Sequence, residues 1–119
     1  MIRAIRGATT AENTSDGIIQ STDQLLREIL AANTLVLDRI IAVTFTCTED
    51  LDAAYPAVAA RKMGMTDASL MCAQEMRVPG SLQKCIRVQV LAETDVAQRD
   101  VRHIYLKEAR VLRPDLINR

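Results

Sequence analysis

Net charge is the first thing this 119-residue chain lacks, because 15 basic and 15 acidic side chains cancel. Without a positive excess it offers no electrostatic footprint for nucleic acid or for an anionic membrane. Long apolar runs are missing too, and no stretch approaches the roughly 18 residues of a membrane span. Arg3 and Arg6 interrupt the N-terminus early, so no apolar signal region is expected there. Cysteine is sparse and odd in number: Cys47, Cys72 and Cys85 form no C-x-x-C pair. That argues against a disulfide framework or a zinc site and for a reducing compartment. A cytoplasmic protein is the expectation.

Catalytic apparatus is equally thin. The single histidine, His103, lies far in sequence from Cys72, which disfavours a Cys–His hydrolase. There is no glycine-rich phosphate loop, dinucleotide fingerprint, metal cluster or Ser–His–Asp set. An enzyme built from these residues is expected to use no metal and no cofactor, only charge placement and shape.

What is present is an ordinary globular composition, 49% apolar and 25% charged, expected to form one domain over residues 1–119. The basic residues are almost all Arg, whose planar fork suits carboxylates and phosphates better than a Lys ammonium does. A codon bias towards Arg gives the same ratio.

Residues Ile2 to Thr10 read as a first strand, with Ile2, Ala4, Arg6 and Ala8 on one face and Arg3, Ile5 and Gly7 on the other. Ser15-Asp16 offers helix N-caps, and Ile18, Ile19, Leu25, Leu26, Ile29 and Leu30 recur at helical spacing up to about Ala32. Arg39 to Thr48 is rich in strand formers. The acids of Glu49-Asp50-Leu51-Asp52 suit a helix start, Pro56 sits near its first turn, and Gly64 stops it after Met63. Ala68 to Cys72 reads as a short strand, Val78-Pro79-Gly80-Ser81 as a turn, and Cys85 to Glu93 as the cleanest strand. Thr94 to Arg102 suits a helical turn, and Ile104 to Leu112 a last strand. The order β-α-β-α-β-β-β predicts an α+β (α/β-like) fold, a mixed sheet with two main helices on one face. Its other face would be bare and apolar, so self-association is expected.

Two arginines stand inside apolar strands. Arg87 lies between Ile86 and Val88, and Arg6 between Ile5 and Gly7. Each reads either as a solvated sheet-face residue or as half of an anion site formed by convergence of two strands. Gly7 permits close backbone approach beside Arg6. Glu75, just after an apolar strand, is either a loop carboxylate or an acceptor for a ligand hydroxyl. Tyr105 is a half-buried strand aromatic with a hydroxyl to satisfy, and Arg61 suits the end of its helix.

Taken together, five stretches resemble the barrel-type, trimeric chorismate mutase family, distinct from the all-helical type. They are Ile2-Arg3-Ala4-Ile5-Arg6-Gly7-Ala8-Thr9-Thr10, Thr48-Glu49-Asp50-Leu51-Asp52-Ala53-Ala54-Tyr55-Pro56-Ala57, and Val78-Pro79-Gly80-Ser81-Leu82 leading into Ile86-Arg87-Val88. Val101-Arg102-His103-Ile104-Tyr105-Leu106 and Val111-Leu112-Arg113-Pro114-Asp115-Leu116 complete the set. The resemblance covers nearly the whole chain in order. It implies a homotrimer forming a pseudo-α/β barrel, with active sites between subunits, and the rearrangement of chorismate to prephenate on the route to phenylalanine and tyrosine. Two other readings share the arginines: a trimer of the imine deaminase type, and a non-catalytic binder of aromatic-pathway acids.

By the same resemblance Arg87 would face the ether oxygen, Arg6 a substrate carboxylate, and Glu75 the ring hydroxyl. Tyr105 would hydrogen-bond a carboxylate and Cys72 would support that wall by backbone or thiol. Tyr55, where the family mostly has Phe, would pack on the substrate from the other subunit, with Ala57 nearby. Arg61, Leu112 and Arg113 would close the mouth from mobile segments. Only three residues follow Leu116, a short tail for any lid.

Overall fold

The computed structural model describes residues 1–117; residues 118 and 119, which end the tail beyond Leu116, lie outside the described residues. Strand β1 (Ile2–Thr10) runs as its alternation predicts and leads to helix α1 (Ser15–Ala32). The N-cap is Thr14, one residue before the expected pair: its Oγ1 accepts the Gly17 N–H at 2.9 Å. Ile18, Leu25, Leu26 and Ile29 form the buried stripe of α1. Asn33 closes the helix by donating its side-chain amide to the Ile29 carbonyl.

Strands β2 (Ile40–Cys47), β3 (Ser69–Gln74), β4 (Cys85–Glu93) and β5 (Ile104–Tyr105) complete one sheet in the order β3-β2-β4-β1-β5. β4 pairs antiparallel with β1 and β2, whereas β2–β3 and β1–β5 are parallel. The sheet is therefore mixed. Its core face carries Ile5, Val43, Phe45, Val88 and Val90 beneath Leu25, Leu26 and Ile29 of α1 and Ala57 and Ala60 of helix α2 (Ala57–Lys62). A bulge at Ile41 changes the parity of β2, so that Ile40 and Val43 both face the core.

Two elements differ from expectation. The second helix starts at Ala57, not at the acids of Glu49–Asp52, because those residues serve contacts distant in sequence. The Asp50 carboxylate accepts the Lys84 N–H at 2.9 and 3.1 Å and the Thr48 hydroxyl. Asn13 Oδ1 takes the N–H groups of Asp52 and Ala53 at 3.0 and 3.1 Å. Pro56 becomes the N-cap, and Gly64, at φ 106°, ends the helix as its glycine predicts. The last strand stops at Tyr105 instead of Leu112. Lys107 takes φ 53°, and Lys107–Val111 coils into a 3₁₀ turn before the short helix α3 (Pro114–Ile117). The Lys107 ammonium reaches Ser21 Oγ of α1 at 3.0 Å, a tertiary tie that overrides local strand propensity.

Candidate active site

Arg6 and Arg87 lie on the sheet face turned away from the helices. Cross-strand partners share a face, so the register sets out a line of residues. Tyr105, Ala8, Arg87 and Thr46 follow one another across β5, β1, β4 and β2. The next row holds Arg6, Gln89 and Thr44. These side chains, Ala8 apart, line a depression of about 300 Å³. Buried Ala8 is small enough for Tyr105 and Leu112 to pack above it.

Glu75 follows β3 directly, and its N–H donates to the Cys47 carbonyl at 2.9 Å. That anchor aims the carboxylate back over the sheet. Its Oε1 forms an ion pair with Arg87 Nε at 3.1 Å and accepts from the Thr46 hydroxyl at 3.2 Å, while Oε2 accepts the Met76 N–H at 3.1 Å. The Glu75 side chain is 22% exposed and that of Arg87 59%. A second hollow of about 270 Å³ adjoins the first through Arg87 and is walled by Glu75, Met76, Val78 and Leu112.

Cations dominate the surroundings of Tyr105. Burial pushes its phenol above the ordinary value, and the Arg6, Arg113 and Arg87 guanidinium groups pull it back. The hydroxyl is therefore a neutral donor beside three positive charges. The Arg6 guanidinium makes no ion pair among the described residues. Arg113 is held in a fork by Asp115, with contacts of 3.0 and 2.9 Å.

The remaining candidates stand elsewhere in the chain. Cys72 is paired with Phe45 and packs against the core, so its thiol faces the helix side and not the arginines. It lines a separate hollow of about 510 Å³ together with Cys47, Leu51, Tyr55 and Pro56, which shares no residue with the depression around Arg6 and Arg87. Tyr55 is 69% exposed there. The Ala57 side chain is buried in the core, where the stripe it shares with Ala60 puts it, and Arg61 is exposed in the last turn of α2. Burial raises the thiols of Cys47 and Cys85 to about 11, which makes them poor nucleophiles near neutrality.

Thr46, Thr44 and Gln89 line the site without having been singled out from sequence. The signal was available: Thr44 and Thr46 are polar at period two inside β2, on the face opposite Val43 and Phe45. Among the described residues no group of three or more His, Cys, Asp or Glu lies together to hold a metal ion, and no helix is long and apolar enough to cross a membrane. Chemically, the arrangement offers fixed cations, one carboxylate and one phenol around a small open depression. It suits an anion whose charge shifts during reaction.

Comparison with known proteins gives a consistent result. The family model described as "Chorismate mutase type I" matches residues 2–116. The chorismate mutase AroH of Thermus thermophilus is 51% identical over 118 residues, 98% of this chain and 97% of that protein. The chorismate mutase AroH of Bacillus subtilis (strain 168) is 46% identical over 118 residues, 98% and 93% of the two chains. A solved structure of a chorismate mutase from Clostridium thermocellum superposes with a TM-score of 0.89 at 53% identity, covering 91% of this chain and 97% of that one.

Proposed function

The chain belongs to the type I chorismate mutase family and is a chorismate mutase, and we propose that it converts chorismate to prephenate in sites completed between neighbouring copies of the chain, in the synthesis of phenylalanine and tyrosine. The observation that carries this reading is the convergence of Arg6, Arg87, Glu75 and Tyr105 on one sheet face. The reaction is a pericyclic shift within one molecule: an ether C–O bond breaks as a C–C bond forms. It requires no nucleophile or proton donor, only the compact conformer of a dicarboxylate and compensation for the charge that separates.

Arg6 and Tyr105 hold one carboxylate and so select that conformer. Arg87 faces the ether oxygen, where negative charge grows, and its position is fixed in advance by the Glu75 carboxylate. Glu75 in turn accepts from the ring hydroxyl and offsets the positive charge that develops on the ring. Leu112 and Arg113, which stand beside this hollow and beside Tyr105, cover the mouth. Tyr55 and Arg61 are exposed and do not meet this cluster within one chain, which supports a site shared by two subunits, with Tyr55 packed on the substrate from the neighbour. The uncovered sheet face supports the same reading. Three copies closing those faces on one another form the pseudo-α/β barrel, and the assembly is a homotrimer.

The test is purified protein mixed with chorismate, followed by loss of chorismate absorbance and identification of prephenate. Saturable turnover without added metal or cofactor is the expected outcome. A folded assembly that binds chorismate without turnover would overturn the mechanism and leave a binding protein.

A further inference from the structure

Strand β1 is paired along all nine residues with β4, but on its other side β5 contributes only Ile104 and Tyr105. The rest of that edge is satisfied by side chains. The Gln98 carboxamide takes the place of a peptide group: its Oε1 accepts the Ala4 N–H at 3.1 Å and its Nε2 donates to the Ala4 carbonyl at 2.6 Å. One step further along, the Arg6 N–H donates to Nδ1 of His103 at 2.9 Å. The ladder of main-chain bonds closes beyond them with Leu106 N–H to the Ala8 carbonyl at 2.9 Å. Asn33 clamps Arg102 on both its main-chain groups, at 2.8 and 2.9 Å, and so fixes the segment from which the imidazole projects.

His103 is thus a buried imidazole that touches the main chain of Arg6 and immediately precedes the short strand that carries Tyr105. A two-residue strand has little register of its own. Accepting at Nδ1 requires the lone pair on that nitrogen, so the ring proton sits on Nε2. We propose that His103 is a positioning residue for the reaction: its Nδ1 sets the start of the β1–β5 ladder and thereby the placement of the Arg6 guanidinium relative to the Tyr105 hydroxyl. This rests on the reading that Arg6 and Tyr105 bind a substrate carboxylate. His103 itself does not touch substrate.

Three substitutions separate this role from simple packing. His103→Asn returns an acceptor close to where Nδ1 stands, His103→Gln carries its acceptor one carbon too far, and His103→Leu has none. If the acceptor position matters, KM for chorismate stays near normal in the Asn variant and rises about five- to tenfold in the Gln and Leu variants, the loss of one well-placed hydrogen bond. The change falls on KM more than kcat, because a carboxylate contact serves ground and transition states alike. Asn and Gln carry the same carboxamide and differ by one methylene, so their comparison stands even where the Leu variant does not fold. Equal KM values for the Asn and Gln variants, whether normal or impaired, would overturn the proposal. Arg6→Ala controls for the underlying reading. It is expected to raise KM by itself, and Arg6→Ala with His103→Gln is expected to be no worse than Arg6→Ala alone. An Arg6→Ala variant with normal KM would remove the carboxylate reading and the inference with it. A raised KM in Arg6→Ala beside a normal KM in His103→Gln would overturn the inference alone.

Discussion

Arg87 illustrates how cheaply, in terms of stability, this protein holds its most important charge. Its guanidinium is more than half exposed and pairs with Glu75 across 3.1 Å. Exposed ion pairs of this kind contribute about 0–1 kcal/mol. A preorganised donor on a developing oxyanion is worth about 2.7–4 kcal/mol, or roughly 10²–10³ in rate. Arg87→Ala is therefore expected to leave the melting temperature almost unmoved while kcat falls by about 10²–10³, a split read by calorimetry beside steady-state kinetics. Normal kcat in that variant would exclude the proposed role. Arg87→Lys is expected to fail as well, because an ammonium cannot reproduce the fork. Glu75 separates charge from acceptor geometry: Glu75→Gln retains an oxygen for Arg87 Nε and the Thr46 hydroxyl, whereas Glu75→Ala retains neither. A smaller kcat loss for Gln than for Ala is the expected order, and equal losses would assign the effect to the negative charge.

Between elements, α1 comes close to β1 at Gly7. A Cβ there would stand 2.8 Å from Ile29 Cδ1, 3.0 Å from Val88 Cγ1 and 3.2 Å from the Ile104 carbonyl oxygen. Ile29 is fully buried and Val88 is β-branched, so neither has room to yield. Gly7→Ala is expected to destabilise the chain by about 1–3 kcal/mol, measured as a lowered urea midpoint at unchanged slope. That glycine was legible in the sequence, as were β1, α1 and β4, because their signals are local alternation, helical spacing and apolar strand formers. The start of α2 was not legible. Glu49–Asp52 has the composition of a helix start, but its groups are claimed by Lys84 and Asn13, which no local pattern announces. The last strand misled for the same reason, since Ser21 draws Lys107 out of the ladder. Among the candidate site residues, Arg6, Arg87 and Tyr105 followed from strand parity and resemblance. The facing of Cys72 required the β2–β3 register, a long-range fact.

At the scale of the whole molecule, one sheet face is covered by helices and the other is open, with Met71 62% exposed beside it on the edge strand β3. The open face is not the apolar one expected from the sequence, because Arg6, Arg87, Gln89, Thr44 and Thr46 line its middle; the unpaired edge of β3 is what a lone chain leaves costly. The proposed trimer is expected to sediment at three times the 13.2 kDa chain mass. Activity per chain is expected to fall on dilution as subunits separate; specific activity independent of concentration, from a species of one chain mass, would exclude sites shared between subunits.

The placing of Tyr55 and Arg87 in different hollows has a consequence in genetics. On the shared-site reading, each catalytic unit draws its arginine from one gene product and its tyrosine from the next around a ring. A chain carrying Arg87→Ala and a chain carrying Tyr55→Glu are each expected to be severely impaired when assembled alone. Co-expressed, they form mixed rings in which a single junction unites an intact arginine with an intact tyrosine. With equal amounts and random assembly, about a quarter of all junctions are then sound. Two defective alleles would rescue one another, and a strain holding both would grow without added phenylalanine and tyrosine where neither parent does.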